Sequence, residues 1–222
     1  MMPIPGKADP AHYNVDVYNM GVFRYESLYI GTPAMYHAVA LDGLGTNTNG
    51  FHIVELTCSR DLKNFRRVGD RKPFIAPSPM GGGGYDLTQM IGPSDAIVRG
   101  DEVWFYYTSI KFRGGSELAN AHEFRLDLKY YGAISLAVLR RDGFMSLDAG
   151  DQPGSVLTQP FTFPGGALYV NVDAGGGSLS AELIAVGGAD DGQMLARSKA
   201  VAGDQHAARI EWADGALDKL QS

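Results

Sequence analysis

Apolar and polar positions along this chain alternate mostly with a period of two, and Gly, Pro, Asn and Asp cut the alternation at short intervals. A period of two puts successive side chains on opposite faces of an extended strand, so the pattern predicts an all-β protein. Met1 to Pro10 reads as a loose lead-in. Val15 to Tyr25 (Val15, Val17, Val22, Phe23) is the first expected strand. Ser27 to Val39 is the second, with Pro33 marking a bulge. Leu41 to Gly50 reads as a loop, Phe51 to Cys58 as a third strand and Phe65 to Phe74 as a fourth. Four antiparallel strands in succession form a meander of the size of one propeller blade.

After the flexible connection Pro77-Ser-Pro-Met-Gly-Gly-Gly-Gly84 the pattern restarts. Leu87 to Arg99 is an expected first strand, and Gly100-Asp101 is a turn. Glu102-Val-Trp-Phe-Tyr-Tyr-Thr108 is a second strand, all β-branched or aromatic after its first residue. Ile110 to Tyr130 is polar and charged: either a long loop or a helix with Leu118, His122 and Leu126 on one face. Tyr131 to Leu139 and Gly143 to Leu147 complete the unit. Both units carry an Arg-Asp turn between strands, in Cys58-Ser-Arg-Asp-Leu62 and in Arg140-Arg-Asp-Gly-Phe144. Short polar side chains there bond the local backbone, so Asp61, Asp142, Arg60 and Arg141 read as structural.

The texture changes near Gly150. Ser155 to Phe163, Ala167 to Val172, Ser178 to Val186, Met194 to Val201 and Ala207 to Trp212 are expected strands separated by Gly- and Asp-rich turns, as in a β-sandwich. The expected organisation is a lead-in over 1–14 and a partial β-propeller over 15–150, with blades at about 15–76 and 85–148. A partial C-terminal β-sandwich over 151–222 completes it. Trp104 and Trp212 are expected to be core aromatics, one for each part.

The 222 residues are 45% hydrophobic and 20% charged, an ordinary globular balance. Net charge is −6 and no basic cluster stands out, so nucleic acid is not an expected partner. No apolar run is long enough to span a bilayer, and Met1 to Lys7 lacks the apolar core of a signal peptide. The compartment stays open on these grounds. The single cysteine, Cys58, excludes an intrachain disulfide or a cysteine zinc cluster. His52, Glu55 and Asp70 lack metal-ligand spacing, and glycines 81–84 do not lead from a strand into a helix. No cofactor and no metal are expected.

Several segments resemble glycoside hydrolase family 32, notably its uncharacterised bacterial N-terminal-like domains. They are Tyr25-Glu-Ser-Leu-Tyr-Ile-Gly31, Leu56-Thr-Cys-Ser-Arg-Asp-Leu62, Glu102-Val-Trp-Phe-Tyr-Tyr-Thr108, Gly132 to Phe144 and, at the sandwich opening, Pro164 to Val172. The resemblance implies a five-bladed β-propeller followed by a β-sandwich, of which this chain is a partial copy with further blades preceding Val15. It implies a carbohydrate ligand and, in a full-length parent, hydrolysis of O-glycosidic bonds of the β-fructosidase kind. The alternative is a non-catalytic carbohydrate-binding or structural module. The family's Trp-Met-Asn-Asp-Pro-Asn-Gly nucleophile motif has no match, nor has an Arg-Asp-Pro motif. Its acid motif would fall near Tyr18-Asn-Met-Gly21, which holds no carboxylate at the Glu position.

Glycoside hydrolysis generally needs two carboxyl groups flanking the scissile bond. In a propeller the first strand of each blade starts on the face that carries the site, and the second strand ends there. Asp16 and Asp86 begin first strands and are the candidate catalytic carboxylates. Tyr18, Asn19 and Tyr85 beside them, and His37, Lys111 and Arg113 after the second strands, are the candidate substrate-binding residues. Glu26 falls in a turn on the far face and is set aside. Incomplete blades leave strand edges exposed, so self-association is expected.

Overall fold

The computed structural model describes residues 13–39, 50–111, 131–162 and 166–213. The lead-in Met1 to Pro10, most of the Leu41 to Gly50 loop and most of Ile110 to Tyr130 lie outside the described residues. The chain is all-β: among the described residues there are thirteen strands, one 3-10 turn and no α-helix. It divides into two compact units, Met1–Leu139 and Arg140–Ser222.

The first unit opens with a long antiparallel hairpin. β1 (Tyr13–Tyr25) and β2 (Leu28–Val39) meet at a two-residue turn where Glu26 sits at φ 50°. β3 (Gly50–Val54) and β4 (Thr57–Ser59) pair with successive parts of β2. Between them Glu55 N–H donates to Pro33 O at 2.9 Å, but Pro33 has no N–H to return. The ladder is interrupted there while its register is kept. The bulge expected at Pro33 lies instead in β1, where the register against β2 shifts between Val17 and Asn19 and leaves Tyr18 as the extra residue. β5 (Arg66–Arg67) pairs with β4 and completes the meander. The expected strand from Phe65 to Phe74 is broken by the turn at Gly69–Arg71, where Asp70 and Arg71 adopt positive φ; pairing resumes at Ile75 against Val54.

In the second sheet, β6 (Gln89–Ile91) pairs with the end of β8 (Glu102–Ile110) and β7 (Ile97–Arg99) pairs with its beginning. β9 (Gly132–Arg140) also pairs with β8. The single strand expected from Leu87 to Arg99 is thus split at Gly92–Ala96. The excursion leaves the ladder to touch the first sheet: Thr32 Oγ1 donates to Pro93 O at 2.8 Å. A Cβ on Gly21 would stand 2.0 Å from Pro93 O, and one on Gly92 would stand 2.8 Å from Thr32 O. Only glycine admits so close an approach of two backbones.

Alternation in β8 decides what lies between the sheets. Val103, Phe105, Tyr107 and Ser109 are buried, whereas Tyr106 is exposed. Ala34, Val54, Ile75, Met90 and Tyr107 form a core cluster, with Phe74 and Ala137 packed against it. Phe105 meets Phe23 and Phe74 at ring distances of 6.0 and 5.4 Å. Trp104, expected in the core, is on the opposite face of β8, because it alternates with Val103 and Phe105. Its indole N–H donates to Glu102, and the Arg99 guanidinium lies 4.6 Å from its ring.

Gly143 to Leu147, expected as a strand, forms none, and neither do residues 155–162, the described part of the strand expected from Ser155 to Phe163. In the second unit β10 (Tyr169–Leu179) pairs with β13 (Val201–Arg209), and β11 (Glu182–Ile184) pairs with β12 (Met194–Arg197). The second pair is nested inside the first, so the two form one antiparallel ribbon. The Ser198 hydroxyl and backbone bridge the step between the pairs by bonding Ala181. Val201, Ala208 and Ile210 are its buried cluster, and Trp212 packs against them as expected. Arg140, the first residue of this unit, bonds Asn171 and pairs with Asp204.

Among the described residues of the first unit one ion pair, Arg67–Glu55, is buried. Arg67 Nε donates to Glu55 Oε2 at 2.6 Å, and Arg67 Nη2 bonds Oε1. The side chains are only 9% and 4% exposed. Such a fork holds two charges out of water, so loss of either partner strands the other. Arg67→Met should lower the unfolding free energy by about 3 kcal/mol or more. Adding Glu55→Leu should recover most of that loss in urea titrations followed by circular dichroism.

Candidate functional site

The two sheets of the first unit meet at one end through a backbone bond, His52 N–H to Thr88 O at 2.8 Å. Candidate residues gather on both sides of that bond. On the first sheet Asp16, Tyr36 and His52 stand in one cross-strand row on β1, β2 and β3. Tyr36 and His52 are fully buried, with rings 5.0 Å apart. The bulged Tyr18 is half exposed and sets its ring edge-on to His52 at 4.8 Å. Tyr18 lies two positions after Asp16 and shares its face by ordinary alternation, and the bulge adds Asn19, which pairs with Ala34, to that same face. Beside it Asn19 Oδ1 is buried without a hydrogen-bond donor.

His37 is separated from this group. It neighbours Tyr36 on β2 and therefore points to the other face, where it stacks on Phe51 at 4.9 Å. Burial holds its imidazole below the ordinary value. The nearby Glu55 carboxylate opposes that effect, and the Arg67 guanidinium adds to it. Glu26 lies at the turn end of β1, remote from Asp16 in the register.

On the second sheet Asp86 precedes Thr88 by two residues. Asp86 is 7% exposed, and its Oδ2 accepts the Tyr107 hydroxyl at 2.8 Å. Its backbone carbonyl accepts Ser78 N–H, which fastens the Gly-rich connection to the strand start. Burial, and then the hydrogen bond and charge of Asp86, push the Tyr107 phenol up to about 12. Tyr107 therefore remains a protonated donor at neutral pH. The Ser135 hydroxyl on β9 acts against that upward shift, and Ser109 Oγ lies 2.6 Å from Ser135 Oγ.

Tyr85 and Lys111 lie on either side of this cluster in sequence and meet in space, with the Lys111 ammonium 4.4 Å from the Tyr85 ring centroid. That contact occupies part of the aromatic surface Tyr85 offers to a ligand. Thr88 Oγ1 and Tyr131 O hold the Lys111 backbone. Arg113 lies outside the described residues. Among the described residues no three His, Cys, Asp or Glu side chains group as a metal site would require. No described helix is long and apolar enough to cross a membrane.

The arrangement combines a buried carboxylate, protonated hydroxyls, an ammonium and partly exposed aromatic rings, which suits recognition of a polar, hydroxyl-bearing ligand. Tyr107, Ser135 and His52 were not among the sequence candidates. Their signal was present in the alternation of β8 and β9, which turns Tyr107 and Ser135 to the same side. It reads equally well as core packing. Searches of family models, curated proteins and solved structures give no match to this chain.

Asp61 is excluded from the site by its bonding. Its carboxylate accepts Lys63 N–H, Asn64 N–H, the Asn64 amide and the Ser59 hydroxyl. These bonds, led by those of Asn64, hold its acid well below the ordinary value of 3.8. A depressed carboxylate contributes stability above its unfolded value and loses it as pH falls through the folded one. The melting-temperature gap between the wild type and Asp61→Ala should therefore be constant at neutral pH and shrink progressively below about pH 4.

Proposed function

We propose that this chain is a carbohydrate-active domain of the glycoside hydrolase family 32 kind, with its two sheets as propeller-type blades and its second unit as the opening of a β-sandwich. The observation that carries the reading is the shared end of the two sheets. There the start of β1 and the approach to β6 bring Asp16, Tyr18 and Asp86 to either side of the His52–Thr88 bond. Aromatic rings beside carboxylates are what a saccharide needs: an apolar sugar face stacks while its hydroxyls find acceptors. In a full-length parent the reaction would be hydrolysis of a β-fructosidic or related bond, with Asp86 or Asp16 assisting. Within this chain binding is the better reading, because the one described donor to the Asp86 carboxylate is a phenol that stays protonated.

A glycan array and a hydrolysis screen with β-fructosides, arabinosides and xylosides test this. Binding to at least one class is expected, weakened roughly tenfold by Asp86→Asn, the loss expected when a charged hydrogen-bond partner is removed. Neither binding nor turnover on any of these sugars would remove the proposal.

The blade reading also accounts for the outward face of the second sheet. Ile134, Leu136 and Val138 on β9 and Tyr106 on β8 are 71, 40, 51 and 47% exposed. A neighbouring blade or a second copy would cover such a face. Sedimentation should accordingly give a concentration-dependent mass, whereas a strictly monomeric species with one sharp thermal transition counts against incomplete blades.

A further inference from the structure

The hydroxyl groups behind Asp86 do more than fill space. Ser109 Oγ has two acceptors in reach, Ala133 O at 3.1 Å and Ser135 Oγ at 2.6 Å. The shorter distance is the ordinary one for O–H···O, and the longer one lies at its outer limit. A hydroxyl has one proton to give. If Ser109 gives its proton to Ser135, then Ser135 can give its own to Tyr107, and Tyr107 gives its proton to Asp86 Oδ2. All three donors then point the same way and polarise one another, ending on a buried carboxylate.

We infer that Ser109, Ser135 and Tyr107 form a directed hydroxyl chain that positions Asp86, holding its Oδ2 so that Oδ1 is the oxygen presented to a ligand. Tyr107 is the positioning residue of that chain. The inference rests on the carbohydrate reading for the identity of the ligand, not for the chain itself. Gly84 fits the same picture: a Cβ there would stand 3.0 Å from Asp86 Oδ1 and 2.6 Å from Ser78 Cβ. A side chain at Gly84 would push against the oxygen that Tyr107 leaves unoccupied.

Two readouts on the full chain test the inference. The first needs no ligand. Tyrosine labelled with carbon-13 at Cζ reports each phenol by nuclear magnetic resonance, and Tyr107 is assigned by its loss in Tyr107→Phe. In the wild type this phenol should remain protonated at pH 11, and in Asp86→Asn its midpoint should fall toward the ordinary 10.0. The sign follows because removing a neighbouring negative charge favours the phenolate. The second readout is affinity for whichever β-fructoside, arabinoside or xyloside the array identifies. Tyr107→Phe should weaken it roughly tenfold, and the Tyr107→Phe/Asp86→Asn pair should weaken it no more than either change alone, as for residues acting as one unit. Ser135→Ala, which keeps the phenol, should weaken it by roughly half that factor on a logarithmic scale.

An unmoved phenol midpoint in Asp86→Asn overturns the inference. So does a Tyr107→Phe protein that melts lower yet binds the sugar as the wild type does, which would make the contact purely structural. A wild type that binds none of the sugars while its phenol midpoint still responds to Asp86→Asn removes the carbohydrate reading and supports the hydroxyl chain. Should Tyr107→Phe fail to fold, the resonance still protonated at pH 11 is taken as Tyr107, and Ser135→Ala and Asp86→Asn carry both readouts.

Discussion

The first unit depends on how closely two backbones can lie where Pro93 crosses the first sheet. Thr32 reaches Pro93 O at 2.8 Å, and Gly21 and Gly92 leave no Cβ in the way. That approach splits the second sheet's first strand into β6 and β7, because Gly92–Ala96 cannot follow the ladder and touch the other sheet at once. It also fixes where β6 must begin. With β6 placed, Thr88 O meets His52 N–H, and Asp86 falls two residues upstream at the shared end of the sheets. The position of the buried carboxylate is thus a consequence of two glycines and a threonine far along the strands.

Among the described residues of this unit two carboxylates, Glu55 and Asp86, are buried, and the fold handles them differently. Glu55 receives a guanidinium fork, which neutralises its charge and occupies both of its oxygens. Asp86 receives a phenol on one oxygen, with hydroxyls behind it. A full ion pair consumes the acceptor capacity of a carboxylate, whereas a single neutral donor lowers the cost of burial and leaves capacity unused. Glu55 is accordingly a structural group beneath the meander, whereas Asp86 has one oxygen, Oδ1, with no donor among the described residues.

How much of this was legible in the residues follows from which interactions are local. The β1–β2 turn, the Gly100-Asp101 turn and the meander order could be read from alternation and turn chemistry, which act over a few positions. β8 was nearly complete, as Glu102 to Thr108 against the observed Glu102–Ile110. What failed was set by partners distant in sequence. Trp104 looked like core, but one register step put Val103 and Phe105 inside and the indole outside. The stretch expected from Ser155 to Phe163 is apolar enough to be a strand, yet no described residue pairs with its positions 155–162. β13 runs through Gly203-Asp-Gln-His206, a stretch too polar to announce a strand, because β10 supplies the ladder. Tyr18 could be named as a candidate, and alternation set it on the face of Asp16, but nothing local announced the bulge that leaves it without a partner on β2.

The two Arg-Asp turns show why similar residues need not repeat a geometry. In the first, Asp61 gathers four donors and the left-handed residue is Leu62; in the second, Asp142 itself is left-handed and Gly143 N–H bonds Arg140 O. The first turn returns the chain into β5, while Gly143 to Leu147, directly after the second, forms no strand. The conspicuous charge of Asp61 is spent on its own backbone, since each donor it accepts is one fewer a ligand could offer. Asp86 looks unremarkable in the sequence, between a tyrosine and a leucine. It acquires its character only when β8 and β9 bring a phenol and two hydroxyls behind it. What separates Asp86 from Asp61 is therefore how few of its acceptor sites the fold has filled among the described residues.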